Sequence, residues 1–306
     1  MNAVKNSTAT GTTATAERPR RYRGRFAPSP TGLLHQGSLV AALASWLDAR
    51  SHGGQWLLRI EDLDGPRNVP GAEDAILRTL DAAGLVADGP VLRQSQRQTF
   101  YREALDALRS AGLAYRCTCS RSEEPGVYSG HCRLLPPPPG PAAWRFAMDP
   151  ADCVEFEDVI QGHCRFEAGQ LGDPVIFRRD EVAAYQLAVV VDDAAQEITH
   201  VVRGADLIES TPWQLRIGAA LGAPALTYAH VPLVTEPDGS RLAKSRGSAA
   251  VADLPPGQAL TLALQLLGYA PPLELAEQPP QRILDWALAG WPPRALGGRK
   301  SVALPG

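Results

Sequence analysis

Apolar positions along the chain alternate between short strand-like runs and helical spacing. Arg23–Ala27 reads as a short strand, and a Pro/Gly loop, PSPTGLLHQG, follows it. Ser38 is a good N-cap, with Leu39, Leu43, Trp46 and Leu47 on one face behind it, so a helix is expected from about Ser38. QWLLRI, Gln55–Ile60, reads as the next strand, and Ile76–Ala83 and Gln98–Ala111 as helices. Strand, loop and helix in repetition predict a parallel sheet with crossover helices. Residues 117–165 break the rhythm: they hold all five cysteines and the segment LLPPPPGP (134–141), which fits neither a helix nor a central strand. Beyond the break, YQLAVVVD, Tyr185–Asp192, reads as a strand run, Glu197–Val202 as another strand, and Thr211–Leu221 as a helix with Pro212 in its first turn. Helical segments are expected near 258–267 and 281–289.

Composition narrows the class without changing this picture. With 306 residues, 44% apolar, the chain has material for about two domains and a sizeable core. No apolar run approaches the roughly 18 residues of a membrane span, so no membrane partner is expected. The net charge of −3 argues against a globally basic nucleic-acid coat but leaves room for a local patch. Five cysteines, few and odd in number, fit a reducing compartment better than a disulfide framework, and a cytoplasmic monomer is expected. The first 21 residues, rich in Ser, Thr and Ala, read as a disordered tail with no apolar core of a secretory signal.

Several segments carry candidate chemistry. His35-Gln36-Gly37-Ser38 sits between a strand and a helix N-terminus, where unpaired N–H groups and the helix dipole favour phosphate. A glycine turn with a serine cap would look the same, so the segment alone is weak. Arg241-Leu242-Ala243-Lys244-Ser245, behind EPDGS, offers a lysine suited to charge on a transferring phosphoryl group. Arg59-Ile60-Glu61-Asp62-Leu63-Asp64 and Arg203-Gly204-Ala205-Asp206 put charge at strand ends, where open α/β sheets bind ligands. Cys117-Thr118-Cys119 and Cys132 supply three soft ligands, and zinc takes four. Chemistry alone prefers His131 as the fourth, with Cys153, His163 and Cys164 as more distant options.

Taken together, RGRFAPSPTGLLHQGS, RIEDLDGPR, YQLAVVVDDAAQEITHVVRGADLIESTPWQ and RLAKS, in this order, resemble the catalytic domain of the class I glutamyl-tRNA synthetases over about residues 22–245. The resemblance implies an α/β, Rossmann-like catalytic domain with a parallel sheet, divided into 22–115 and 181–245 by a zinc-bearing insertion at 116–180. A short helical stem-contact region, 246–306, follows. Only 61 residues follow Ser245, which aligns the chain with the truncated paralogues of the family rather than with members carrying a helical anticodon-binding region.

For such paralogues the resemblance implies a ligase that activates L-glutamate with ATP and Mg²⁺. The product, glutamyl-adenylate, then donates glutamate to queuosine in the anticodon loop of tRNA(Asp). It assigns glutamate recognition to Arg25, Phe26, Ala27, Pro28, Ser29, Glu61, Tyr185 and Arg203. ATP binding falls to His35, Gly37, Ser38 and Lys244, of which His35 and Lys244 carry the catalysis. One structural Zn²⁺ is implied on Cys117, Cys119, Tyr128 and Cys132, with Tyr128 in place of His131. The chain departs from the family pattern at Ser38, where a second histidine is usual, and at Arg241 and Ala243 in the lysine-bearing loop. A minimal synthetase charging tRNA(Glu), a nucleotidyltransferase with a similar phosphate loop, and a non-catalytic zinc RNA-binding protein remain the alternatives.

Overall fold

A computed structural model describes residues 21–120, 126–136, 139–240, 242, 251–292 and 296–305. The first 20 residues and Lys244, with its neighbours Arg241 and Ala243, lie outside them.

Strand β1 (Arg23–Phe26), helix α1 (Gln36–Ser51) and strand β2 (Gln55–Ile60) form the first unit, with β1 and β2 parallel and in register from Arg23–Gln55 to Phe26–Leu58. The helix begins two residues before the expected Ser38, because His35 caps it: its Nδ1 accepts from Ser38 N–H at 3.1 Å. Leu39, Val40, Leu43 and Leu47 of α1 are all fully buried or nearly so. Burying each leucine contributes on the order of 1.5–3 kcal/mol. A helix apolar on so many sides is a central one, and α1 packs between β1, β9 (His200–Gly204) and the C-terminal helices α7 (Pro256–Leu266) and α8 (Pro280–Leu288). Helix α2 (Ala72–Ala82) leads to β3 (Leu92–Arg93), parallel to β2.

Helix α3 (Gln98–Ser110) buries Tyr101, Leu105 and Leu108, spaced to share one face. Strands β4 (Ala114–Cys117), β5 (Ala143–Phe146) and β8 (Val175–Phe177) form an antiparallel sheet. Between them, the hairpin β6 (Cys153–Asp158) and β7 (Gly162–Glu167) and a short helix α4 (Ala168–Leu171) complete this part of the chain. Phe146, Ile176 and Phe177 join α3 and the following helix in one apolar cluster.

That following helix is a correction. Tyr185–Ala195 is helical (α5), where a strand was expected for 185–192. An apolar run buried on every side has no face to alternate, and periodicity cannot separate a buried helix from a buried strand there. Strand β9 is His200–Gly204, a few residues later than the expected 197–202, and helix α6 is Thr211–Ala220. Strand β10 (Thr227–Val231) runs parallel to β9 and β6. Thr199 N–H donates to Arg23 O at 2.9 Å, setting β9 beside β1. The sheet β3-β2-β1 and the sheet β9-β10-β6-β7 therefore lie side by side, with β1 next to β9. Finally β11 (Leu233–Thr235) pairs with β12 (Ser301–Ala303). Among the described residues, no helix is long and apolar enough to cross a membrane.

Candidate active site

A cavity of about 640 Å³ opens at the carboxyl ends of β1, β2 and β9, where parallel sheets bind their ligands. Arg25, Phe26, Ala27, Pro28 and Ser29 line it from the end of β1, and His35, Gly37 and Ser38 from the start of α1. Glu61, the residue after β2, faces them together with Tyr185 at the start of α5 and Arg203 of β9. All the residues singled out for glutamate and ATP thus converge here, except Lys244, which is outside the described residues. Its neighbour Leu242 lines the same cavity.

The loop and the helix terminus suit phosphate. Because Nδ1 of His35 accepts from Ser38 N–H, a neutral ring carries its proton on Nε2. Gly37 sits in a tight place: a Cβ there would lie 3.2 Å from His35 Nδ1 and 3.4 Å from Leu242 Cδ1, so one of these side chains would have to give way by a few tenths of an ångström.

The opposite wall carries charge. Arg25 is buried and donates through Nε and Nη2 to the two oxygens of Asp193, at 3.1 and 3.4 Å. Asp193 Oδ1 also lies 2.7 Å from Arg59 Nη2, an ion pair angled off the line of a good hydrogen bond. Arg59 Nε in turn is 3.6 Å from Glu61 Oε1. Arg25, Asp193, Arg59 and Glu61 therefore alternate in sign, and only the two end members reach the cavity. Burial pushes the Asp193 carboxyl up, but the two guanidinium groups outweigh it and hold the carboxyl below its usual range. Burial dominates at Glu61 and raises its carboxyl above the ordinary value, against the pull of Arg59 and Arg25. A cation arriving in the cavity would reverse that shift. Asp192, the neighbour of Asp193, accepts from Gln94, Arg97 and Tyr101 and anchors α5 to α3.

Arg203, also buried, donates through Nη1 to Tyr185 Oη at 3.4 Å, through Nη2 to Thr211 Oγ1 at 2.9 Å, and through Nε to His230 Nε2 at 3.1 Å. Arg25 and Arg203 put two guanidinium groups, each able to hold a carboxylate, around one cavity that also bears a carboxylate, Glu61. That is the charge complement of an amino acid with two carboxylates. Sequence reasoning named Arg59 only as part of a charged strand end and did not single out Asp193 or His230; none of the three lines the cavity. The available signal was an ionisable residue inside an apolar run: QWLLRI, AVVVDD and TYAHV.

The second site lies in the chain between β4 and β5. The Sγ atoms of Cys117, Cys119 and Cys132 all fall within 4.8 Å of one another. Tetrahedral zinc with bonds of ~2.3 Å wants its sulfurs roughly 3.8 Å apart, so the three fit one metal ion. Both candidates for a fourth ligand are close. Tyr128 Oη is 3.4 Å from Cys117 Sγ and accepts from Cys132 N–H at 3.3 Å, while His131 Nε2 is 3.4 Å from Cys119 Sγ and 3.5 Å from Cys132 Sγ. Burial pushes the Cys117 thiol up, but bonds from Tyr128 and Arg145 outweigh it and bring it down to about 7. Burial and the neighbouring sulfurs push Cys119 up to about 12. Protein groups alone thus ease the ionisation of one sulfur and resist that of a second, which a cation would relieve. Cys153, His163 and Cys164 are elsewhere, on the β6–β7 hairpin, where His163 pairs with Glu157 at 2.7 Å.

Over residues 21–124 and 137–271 the sequence matches the family described as "tRNA synthetases class I (E and Q), catalytic domain". Among curated relatives, the glutamyl-Q tRNA(Asp) synthetase of Ectopseudomonas mendocina (strain ymp) is 50% identical over 286 residues, covering 92% of this chain and 97% of that protein. That of Thiobacillus denitrificans is 50% identical over 284 residues, covering 89% and 94%. Among solved structures, a glutamate tRNA ligase from Elizabethkingia meningosepticum, in complex with its amino acid, superposes with a TM-score of 0.78 at 25% identity, covering 94% of this chain and 67% of that one. The glutamate-tRNA synthetase of Elizabethkingia anophelis gives 0.76 at 27%, covering 87% and 65%. A family match over most of the chain and identity at half the positions across nearly the whole of such relatives leave one assignment: the chain belongs to the class I glutamyl- and glutaminyl-tRNA synthetase family, and within it to the glutamyl-Q tRNA(Asp) synthetases.

Proposed function

We propose that the chain activates L-glutamate with ATP and transfers it to the cyclopentenediol of queuosine in the anticodon loop of tRNA(Asp). The observation that carries this reading is the pairing of Arg25 and Arg203 with Glu61 in one cavity, against the N-terminus of α1. Arg25 and Arg203 bond the two carboxylates, Glu61 the ammonium group, and Tyr185 offers its hydroxyl. A guanidinium facing the side-chain carboxylate rejects glutamine, whose amide has no charge to return.

ATP enters as its magnesium complex, with its phosphates at His35, Gly37, Ser38 and the helix N-terminus, and with Lys244 supplying a further positive charge. An oxygen of the glutamate α-carboxylate attacks the α-phosphorus, and the bond to diphosphate breaks. A carboxylate is already a competent nucleophile, so positioning and charge stabilisation do the catalysis. A cyclopentenediol hydroxyl then attacks the activated carbonyl. The ester forms, AMP leaves, and the hydroxyl proton passes to the AMP phosphate or to solvent. Cys117, Cys119 and Cys132, with Tyr128 as the fourth ligand, hold one Zn²⁺, which supplies a structural cross-link and takes no part in either step.

The test is transfer of labelled glutamate to purified tRNA(Asp), with and without queuosine, alongside tRNA(Glu). Label only on queuosine-containing tRNA(Asp) is expected; label on tRNA(Glu) instead would make the chain a minimal conventional synthetase.

A further inference from the structure

We infer that His230 is a positioning residue for glutamate recognition: held by Asp158 with its proton on Nδ1, it accepts from Arg203 Nε and thereby aims that guanidinium into the cavity. The inference rests on the function proposed above. His230 is fully buried on β10 and is not part of the cavity wall. Its Nδ1 lies 2.6 Å from Asp158 Oδ2. The other oxygen, Oδ1, accepts from the N–H groups of Ile160, Gln161 and His230 at 3.0, 2.8 and 3.1 Å. A carboxylate so surrounded by donors stays ionised and accepts, so the proton between it and the ring belongs to Nδ1.

A neutral imidazole has one donor and one acceptor. With Nδ1 donating, Nε2 offers its lone pair, and Arg203 Nε meets it at 3.1 Å. The guanidinium is then constrained in its plane: Nε on His230, Nη2 on Thr211, and Nη1 beside Tyr185. Such fixing before the substrate arrives is what preorganised recognition requires.

Protonating His230 would turn the acceptor into a donor aimed at a cation. The groups facing the ring set that balance: Asp158 from β6, Arg203 from β9, Arg25 from β1, Thr211 from α6, and the Tyr228 ring stacked 6.0 Å away on the same strand. Burial lowers the imidazole below its ordinary value, and Arg203 and Arg25 add to this against the pull of Asp158.

Two substitutions separate the contacts. The amide of Asn reaches the place of Nδ1, so His230→Asn keeps a donor for Asp158 and withdraws the acceptor from Arg203. The amide of Gln reaches the place of Nε2, so His230→Gln restores that acceptor. The measurement is glutamate-dependent ATP–pyrophosphate exchange with queuosine-containing tRNA(Asp) present, together with thermal unfolding. Expected are a rise of about tenfold in the glutamate KM for His230→Asn, with the ATP KM unchanged, and recovery to within about threefold of the unsubstituted chain for His230→Gln. The fall in kcat/KM for glutamate on the acid side should also move to lower pH in His230→Gln. The inference is overturned if both folded variants keep the original glutamate KM, if both raise the glutamate and ATP KM alike, or if the pH profiles superimpose. Absence of exchange by the unsubstituted chain would instead overturn the proposed function, and this inference with it.

Discussion

In the wall of the cavity, charged side chains find their partners across the whole chain, whereas in the cysteine cluster they find them next door. Arg25 meets Asp193 at a separation of 168 residues, and Arg59 meets Gln196 at 137. The three sulfurs and both candidate fourth ligands come from residues 117–132, near Leu134, which is 90% exposed. The wall is therefore held by the packing of β1, β2 and α5, and its charges are oriented by one another. The cluster gathers groups that repel one another when ionised, and a bound cation would make their proximity favourable. One site is a product of the fold; the other, with its metal, would contribute to it.

The largest expected effect breaks the wall. Asp193→Ala leaves Arg25 and Arg59 buried without their shared carboxylate, at a cost of about 3–5 kcal/mol. The unfolding midpoint should fall by roughly 6 °C or more, and glutamate activation should fall with it. Scanning calorimetry would reject the alternating chain of charges if the midpoint stayed put.

A smaller effect sharpens the other side of the contrast. Cys119→Ser should weaken zinc binding by more than the ~10–100-fold typical of losing a mere supporting contact, while glutamate-dependent exchange persists. Tyr128→Phe and His131→Ala then identify the fourth ligand by metal content per chain. Loss of zinc only in the tyrosine variant is expected, and loss only in the histidine variant would reassign the ligand.

The smallest effect is a pH dependence confined to the sheet side. Burial lowers the imidazoles of His200 and His230 below the ordinary value of about 6.5, so the unfolded chain binds more protons than the folded one in mild acid. Stability from these two groups is present above about pH 6.5 and is lost as pH falls through that value toward the folded pKa. Asp158 and Asp193, held low, lose their contribution only as pH falls through the carboxylate range. A fall in the unfolding midpoint between pH 7.5 and 5.5 is expected. A flat profile would contradict the buried neutral histidines.

Much of this was legible in the residues. QWLLRI gives β2 at its observed bounds, and the face made by Tyr101, Leu105 and Leu108 marks α3. The long motifs bring Arg25, Glu61, Tyr185 and Arg203 to notice, and these line one cavity. YQLAVVVD misleads, because burial on all sides removes the periodicity that distinguishes helix from strand. The pairing of Arg59 with Asp193, and the role of His230, escape for a different reason. Their partners are settled by three-dimensional packing, and nothing local in AVVVDD says which of two adjacent aspartates will face Arg97 and which Arg25.

The separation between Arg25 and Asp193 also has a consequence for biosynthesis. A ribosome adding about 5–20 residues per second needs roughly 10–30 s to deliver Asp193 after Arg25 has emerged, and His230 comes later still. Throughout that interval the nascent chain carries β1 and β2 with their arginines but without the carboxylate that neutralises them. The cavity wall thus forms late in synthesis, and a chain interrupted before residue 193 would present Arg25 and Arg59 without the carboxylate they share.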